Sequence, residues 1–307
     1  MTEADVEASE DLAEQMKANA PRRSPRTREL LRQLRRLTHD HLALAGFVML
    51  AAIVFLAVFA PWITPYPKEA GAYTNFGQAL LPPSKAHLFG TDDVGRDVLT
   101  RTIFGFRISL LIGVVVLLPS ALLGVVLGLF AGYYGGWVEA LIERVTDVFL
   151  ALPALIFALV ITGILGPSLN DVIIALLAIW WNWYARIMFT LTKSLKNQPY
   201  VESARVQGAG SLRIMFREIL PNATSTLSAK MMLDLGFIIL IEAGMGYLGI
   251  GVQPPLPDLG QMVAAGASYL ATKWWVPLFP SLALTLLILA FNLIGNGLRD
   301  LFDVKVV

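Results

Sequence analysis

The stretch ISLLIGVVVLLPSALLGVVLGLFAGY, residues 108–133, carries no charged side chain and decides the fold. A helix needs about 20 apolar residues to cross a hydrocarbon core of about 30 Å, so this segment is long enough to span a membrane. Its glycines Gly124, Gly128 and Gly132 recur at every fourth residue. Because this spacing places them on one helix face, it predicts close packing against a second helix.

Further apolar stretches on both sides indicate an all-α membrane protein. Of the 307 residues, 56% are hydrophobic and 15% charged, and the mean hydropathy is +0.63. That is more apolar side chain than a soluble core of this length needs. Pro119 and Pro153 each remove a backbone donor and are expected to kink their helices unless neighbouring groups compensate. We expect about six transmembrane helices, at Leu42–Ile63, Ile108–Tyr133, Val148–Leu165, Val172–Leu191, Leu235–Val252 and Val276–Leu298.

The amino-terminal tail, residues 1–41, changes the sign of its charge along its length. Acidic residues dominate from Glu3 to Glu14, and an arginine-rich run follows from Arg22 to Arg36. This run is either a short amphipathic helix on the cytoplasmic membrane surface or a solvated segment that only obeys the positive-inside rule. The first apolar run begins near Leu42, too late and too long for a cleaved signal peptide, so we expect it to remain as a span.

The distribution of basic residues predicts that both termini are cytoplasmic. If the arginine-rich run is inside, six crossings place the basic segment between the fourth and fifth spans inside too. The chain then divides into the tail (1–41), a first span with an external loop (42–104), and a core with five spans (105–307).

The segment NQPYVESARVQGAGSLRIMFREILPN, residues 197–222, predicts two short helices joined by a tight turn. Gly208 and Gly210 end the first helix, Ser211 caps the second, and Pro221 closes it. In the second helix Leu212, Met215 and Ile219 share one face, which predicts an apolar ridge that docks in a groove. The alternative is an amphipathic loop that rests on lipid.

Polar residues within the spans are candidates for the pathway or its gate. Glu242 lies inside the fifth span, where a charge exposed to lipid costs about 2.5 to 3.5 kcal/mol, so it is expected to face the bundle interior. Its role is either in gating or in a structural hydrogen bond. Asp234 lies four residues after Lys230 and is placed to pair with it. Asn292 and Asn296, four apart in the last span, are expected to bond across helices, with a pathway role as the alternative.

The segment Gly90–Asp97 gathers several charges at the expected external side. It places four charged residues around two glycines: Asp92, Asp93, Arg96 and Asp97. A charge-paired turn that leads into the second span is the first interpretation, and direct contact with substrate is the second.

Several classes of activity are excluded by what the sequence lacks. It contains no G-x4-G-K-[ST] phosphate loop, so it does not bind ATP by that route. It has no cysteine, and its three histidines, His39, His41 and His87, lie outside the spans, so no metal site or catalytic cluster is expected in the bundle. A secondary transporter is disfavoured because the first three spans carry no deep charge.

The inner segment resembles the EAA loop of permease subunits of bacterial ABC importers. The resemblance is carried by Glu202, Ser203 and Ala204, then Gly208, and later Leu220 and Pro221. Two positions depart from it, since Ser203 replaces a usual alanine and Glu218 a usual apolar residue. In that family this loop couples the membrane domain to a separate ATPase, which implies a coupling role for Glu202, Ser203, Ala204, Gly208, Gly210, Met215, Arg217, Leu220 and Pro221.

Longer motifs are similar to the C-type membrane subunit of the dipeptide, oligopeptide and nickel permease family. They are HLFGTDDVGRDVLTRTIFGFRISLLIG from His87, AGYYGGWVEALIERVTDVFLALP from Ala131, GYLGIGVQPPLPDLGQM from Gly246 and PSLALTLLILAFNLIGNGLRDLFD from Pro280.

This resemblance implies a multi-pass permease of the bacterial inner membrane that is not itself an enzyme. It would form half of a pathway for short peptides, with nickel chelates, glutathione or other small solutes as alternatives. The implied partners are a second homologous permease subunit, two ATPase subunits that bind ATP and Mg, and an extracytoplasmic substrate-binding protein. No nucleic acid and no cofactor in this chain are expected.

Overall fold

A computed structural model describes residues 40–302, which contain helices and turns but no strand. The predicted arginine-rich helix lies outside these residues. Short 3-10 turns occur at Pro67–Ala70 and Phe76–Gln78, and a π-helical segment at Ile214–Ile219. The α-helices are α1 (His41–Val58), α2 (Ala60–Ile63), α3 (Val98–Tyr134), α4 (Gly136–Ala151), α5 (Ala154–Leu165), α6 (Leu169–Leu195), α7 (Pro199–Val206), α8 (Ser211–Arg213), α9 (Leu220–Tyr247), α10 (Leu259–Ala267) and α11 (Trp275–Phe302).

The glycine face of α3 packs directly on α6, as its spacing predicted. A Cβ atom added at Gly124 would lie 2.2 Å from the carbonyl oxygen of Trp181, and one at Gly128 would lie 2.2 Å from that of Ala185. Only glycine permits two backbones to approach this closely, and the contact fixes α3 and α6 as the central pair of the bundle.

Four described helices, α1, α3, α6 and α11, are long and apolar enough to cross a membrane. The bent pair α4 and α5 adds a fifth crossing if it is counted as one span. The remaining expected span corresponds to α9, which carries Lys230, Asp234 and Glu242 and is not among these helices. The all-α membrane fold is therefore confirmed, whereas the count of six and the orientation of the termini stay predictions.

The expected third span is not one continuous helix. It breaks between Ala151 and Ala154, and α4 and α5 are bent by 89° at the break. Proline restricts the residue before it to extended backbone, and Leu152 has φ −92° and ψ 132°. The prediction of a kink at Pro153 is confirmed as a full break, whereas α3 continues through Pro119.

Helix α4 is amphipathic and is held to α6 by ion pairs. Glu143 lies 2.6 Å from Arg186, and Glu139 lies 2.5 Å from Lys193. The apolar face of α4 is exposed on the isolated chain and carries Trp137, Leu141, Val145 and Val148. One face of α4 is thus fixed within the chain, and the other is free for lipid or a partner.

Two irregular regions lie at opposite ends of the bundle. We call residues 64–97 and 248–274 the cap, and residues 197–219 the coupling loop. The first turn of α3 reaches the cap, where Arg101 Nη1 lies 3.4 Å from the Pro255 carbonyl oxygen. Near the other end of α3, Lys196 Nζ donates to the Gly132 carbonyl at 2.8 Å, just before the coupling loop. At about 1.5 Å per residue, the 37 residues of α3 separate the two regions by roughly 50 Å.

The cap contains the predicted charge-paired turn. The backbone N–H of Arg96 donates to Asp92 at 2.8 Å, and its Nε donates to the same carboxylate at 2.7 Å. Asp97 then begins α3 by accepting from Thr100 N at 2.8 Å, and it also binds His87 Nδ1 at 3.0 Å. The first interpretation of this segment is confirmed.

Candidate functional site

The coupling loop begins as predicted, with a short helix that ends in a glycine turn. Helix α7 ends at Val206, and Gly208 follows with φ +79°. A residue with a side chain rarely adopts this left-handed conformation, so glycine suits the position. The N-cap residue of the next helix is Gly210, not Ser211 as expected, and no side chain forms a capping hydrogen bond there.

The second short helix does not end at Pro221. Helix α8 continues through the π-helical segment Ile214–Ile219, where the N–H of Leu220 donates to the Met215 carbonyl, and passes directly into α9. Pro221 lies just after the π-helical segment, where it removes one backbone donor from the continuous helix without ending it. The coupling loop is therefore continuous with a membrane helix.

The prediction that three apolar residues of the second helix form an exposed docking ridge is wrong for two of them. Met215 and Ile219 are fully buried and join the hydrophobic core of this chain, while Leu212 is 59% exposed. The exposed apolar side chains of the coupling loop also include Val206 (81%) and Phe216 (41%). Helical spacing identified an apolar face, but it could not tell whether that face packs within this chain or stays exposed.

Polar groups border this exposed surface. Arg205 donates to Glu202 at 2.9 Å, and both side chains are largely exposed, so the pair contributes little to stability. Arg217 is also exposed, and Leu220 is half-buried. A cleft of about 340 Å³ lies between α7 and the start of the second helix, lined by Tyr200, Ser203, Ala204, Gln207, Ala209, Arg213 and Glu218.

Asp234 forms the local ion pair that its spacing predicted. Lys230 Nζ lies 2.6 Å from Asp234 Oδ1, and Asp234 is buried. The lysine also lies over the ring of Trp183, with 5.7 Å between Nζ and the ring centroid. This cation is therefore held within the chain.

Glu242 faces the bundle interior, as predicted, and it meets a second acid. It is fully buried on α9, and neither of its carboxyl oxygens has a basic or backbone donor among the described residues. Asp258 caps α10, and its Oδ1 accepts from Gly260 N at 3.0 Å. Its Oδ2 lies against α9, where a Cβ atom added at Gly246 would be only 2.3 Å away.

The two carboxyl groups bond to each other only if one of them carries a proton. Burial raises the pKa of Asp258 to about 6, although hydrogen bonds with Glu242 and with the N–H groups of Gly260 and Gln261 lower it. Local sequence patterns did not point to Asp258, because it lies 16 residues after Glu242 and the two meet only when the cap is folded. The available signal was an acid placed directly before a short apolar helix, which is a typical capping position.

The two asparagines of α11 do not form the expected bond across helices in the described residues. Asn292 Nδ2 donates to the Ile288 carbonyl of its own helix at 3.0 Å, and Asn296 is exposed. An amide can bond within its own turn, and this local bond competes with any partner on another helix. Their role in the pathway stays a prediction.

Comparison with known proteins identifies the family. Residues 124–307 match the family described as binding-protein-dependent transport system inner membrane component. The chain belongs to this family. Residues 30–83 match the N-terminal TM domain of oligopeptide transport permease C.

Similar curated proteins are permeases over most of their length. The dipeptide transport system permease protein of Escherichia coli (strain K12) is 44% identical over 271 residues, covering 86% of this chain and 89% of that protein. The di/tripeptide transport system permease protein of Pseudomonas aeruginosa (strain UCBPP-PA14) is 42% identical over 274 residues, covering 87% and 89%. The glutathione transport system permease protein of Pectobacterium atrosepticum is 37% identical over 271 residues, covering 88% and 89%.

Family membership makes this chain an integral inner-membrane permease component. The coupling loop, Asp234, Glu242 and Asp258 all lie within the matched residues 124–307. Most of the first half of the cap lies within the second match. Both ends of the bundle are thus part of the permease architecture.

Proposed function

We propose that this chain forms half of the membrane pathway of an ATP-driven importer of short peptides. A second homologous permease subunit completes the pathway, and two ATPase subunits, which bind ATP and Mg, dock on the coupling loop. An extracytoplasmic binding protein delivers the substrate at the cap. Both termini of the chain lie in the cytoplasm.

The exposed apolar surface of the coupling loop supports this proposal most directly. Val206, Leu212 and Phe216 lie beyond the end of α6, beside the charged pair of Glu202 and Arg205. An apolar centre with a polar rim is the usual composition of a protein-docking surface. Since the loop continues into α9, a partner bound here acts on a helix that reaches Glu242.

The named relatives support short peptides as the substrate. The relatives from E. coli and P. aeruginosa are dipeptide and di/tripeptide permeases. Glutathione is a second candidate because the relative from P. atrosepticum is a glutathione permease. Uptake of radiolabelled dialanine, measured over a series of unlabelled glutathione concentrations, separates the two. A glutathione importer would lose dialanine uptake at low glutathione concentration, whereas a dipeptide importer would keep it.

One substitution at each end of the bundle tests the proposal. Leu212→Asp places a charge in the coupling loop, and Leu88→Asp places the same charge on the cap at a side chain of matched exposure, 59% against 60%. We expect Leu212→Asp to reduce recovery of the ATPases with the membrane subunits, and dialanine uptake, by at least about tenfold. Leu88→Asp should leave ATPase recovery unchanged. Equal ATPase recovery in both variants would contradict the assignment of the coupling loop.

A further inference from the structure

A cavity of about 240 Å³ opens in the cap beside the start of α3. Its volume corresponds to about eight water molecules at about 30 Å³ each, and a small dipeptide has a similar number of non-hydrogen atoms. Val94, Val98 and Met262 contribute apolar wall. The polar lining comes from Thr74, Asp92, Asp93, Arg96, Arg101 and Gln261.

Arg101 presents unused donors at this cavity. Its side chain is only 1% exposed, and Nη1 lies 3.4 Å from the carbonyl oxygens of both Ala70 and Pro255. Nε and Nη2 have no hydrogen-bond partner in the part of the chain that the structure describes. Asp92 Oδ2 forms an ion pair with Nε at 3.6 Å, beyond hydrogen-bond distance, and the same oxygen accepts from Arg96 Nε at 2.7 Å.

The edge of this guanidinium that carries Nε and Nη2 has no hydrogen-bond acceptor in the described residues, and it has the geometry of a carboxylate receptor. Nε–H and Nη2–H are parallel donors, and a carboxylate accepts both at once. A buried guanidinium without these two hydrogen bonds is costly, so the site favours an occupant that accepts both of them. Asp93 is exposed and lines the same cavity, where it supplies a negative charge for a cation on the same ligand.

We propose that this cavity binds the free carboxylate of a short peptide on Arg101, with the peptide ammonium near Asp93. The apolar wall then accommodates small side chains. The choice of a peptide rests on the proposed function, but the site itself is an additional one, on the permease rather than on the binding protein. It would hold the substrate at the entrance to the pathway.

The test uses the complex of both permease subunits and the ATPases in lipid nanodiscs, without the binding protein. Equilibrium binding of radiolabelled dialanine is compared with that of alanyl-alaninamide, which lacks the carboxylate. We expect the amide to bind at least about tenfold more weakly, since it cannot form the charge-assisted pair. N-acetyl-dialanine, which lacks only the ammonium, should lose less affinity.

Matched variants assign the effect to Arg101. Arg101→Lys keeps the charge but not the paired donors and should weaken dialanine binding about tenfold. Arg107→Lys makes the same substitution on the same helix at an exposed residue outside the cavity, and it should leave binding unchanged. Asp93→Asn, at an exposed position, should weaken dialanine binding by about threefold. This variant and the amide ligand both test the site without replacing a buried side chain.

Three results would overturn the proposal. They are absence of saturable dialanine binding to the wild-type complex, equal binding of dialanine and its amide, and equal binding by the two lysine variants. Dialanine uptake by the wild-type importer separates the two ideas, because normal uptake without binding at the cavity would leave the proposed function intact.

Discussion

The cap and the coupling loop differ in whether their charged side chains are buried and paired or exposed to solvent. In the cap, Asp97 is completely buried, is bound to His87 and caps α3, so its charge is satisfied within the chain. In the coupling loop, Glu202 and Arg205 pair in solvent, and Leu212 is exposed. The cap is therefore stabilised by its own contacts, whereas the coupling loop keeps charged and apolar side chains exposed on the isolated chain.

The largest expected effect is the difference in thiol labelling between the two regions, because they are expected on opposite sides of the membrane and a site is either labelled from outside or not. The chain has no native cysteine, so Lys85→Cys in the cap and Gln207→Cys in the coupling loop each introduce a single thiol on an exposed side chain. A membrane-impermeant maleimide added to intact cells should label only the cap. Labelling of position 207 from outside would invert the proposed topology.

Removal of the buried carboxylate tests the internal stability of the cap. Asp97→Ala leaves His87 and the first turn of α3 without their acceptor, at a cost of about 3 kcal/mol. We expect a clear fall in the melting temperature of the purified protein in detergent. Asp93→Ala, on an exposed carboxylate of the same segment, is the control and should melt close to wild type. If both variants melted alike, the cap would not depend on this network.

We expect a substitution in the turn of the coupling loop to reduce transport rather than stability. Gly208 has φ +79° and no atom within 4 Å of an added Cβ, so Gly208→Val introduces backbone strain of about 1 to 2 kcal/mol and no clash. We expect normal membrane insertion, reduced recovery of the ATPases and several-fold lower dialanine uptake.

The matched control is Gly210→Val. Gly210 has φ −69° and equally open surroundings, so valine fits there without strain. Normal uptake by the Gly208 variant, or equal loss in both variants, would show that the left-handed turn is not needed for coupling.

The acid pair of Glu242 and Asp258, at the edge of the cap, gives the smallest effect, a change in the pH dependence of stability. The pKa of Asp258 is raised from 3.8 to about 6 in the folded state, so the folded chain binds more protons than the unfolded chain between these values. Stability contributed by this group therefore falls as pH rises from about 4 to about 6. Asp258→Asn keeps a capping oxygen and should reduce the difference in melting temperature between pH 4.5 and pH 7.

An exposed carboxylate serves as the reference for this measurement. Asp93→Asn removes a group of the same type from the solvent-exposed part of the cap. The pH dependence of melting in the Asp258 variant is compared with that of this variant as well as with wild type. An unchanged pH dependence in the Asp258 variant would show that this carboxyl does not titrate as its burial indicates.

The sequence predicted features that depend on spacing within one helix. The glycine face of α3, the pair of Lys230 and Asp234, and the interior position of Glu242 follow from helix periodicity and from the cost of charge in lipid. The burial of Met215 and the approach of Asp258 to Glu242 did not follow. Each depends on which segment of the folded chain covers a given face, and this tertiary contact does not follow from local helix periodicity.

The continuity of the π-helical segment with α9 has a mechanical consequence. The 28 residues of α9 form a rod of about 42 Å that begins at the end of the coupling loop and ends beside the cap. If such a rod pivots near its start, a tilt of about 5° displaces its far end by about 4 Å. A small change of angle at the coupling loop would therefore produce a shift comparable to the spacing of packed side chains, without any change in the length or helicity of the rod.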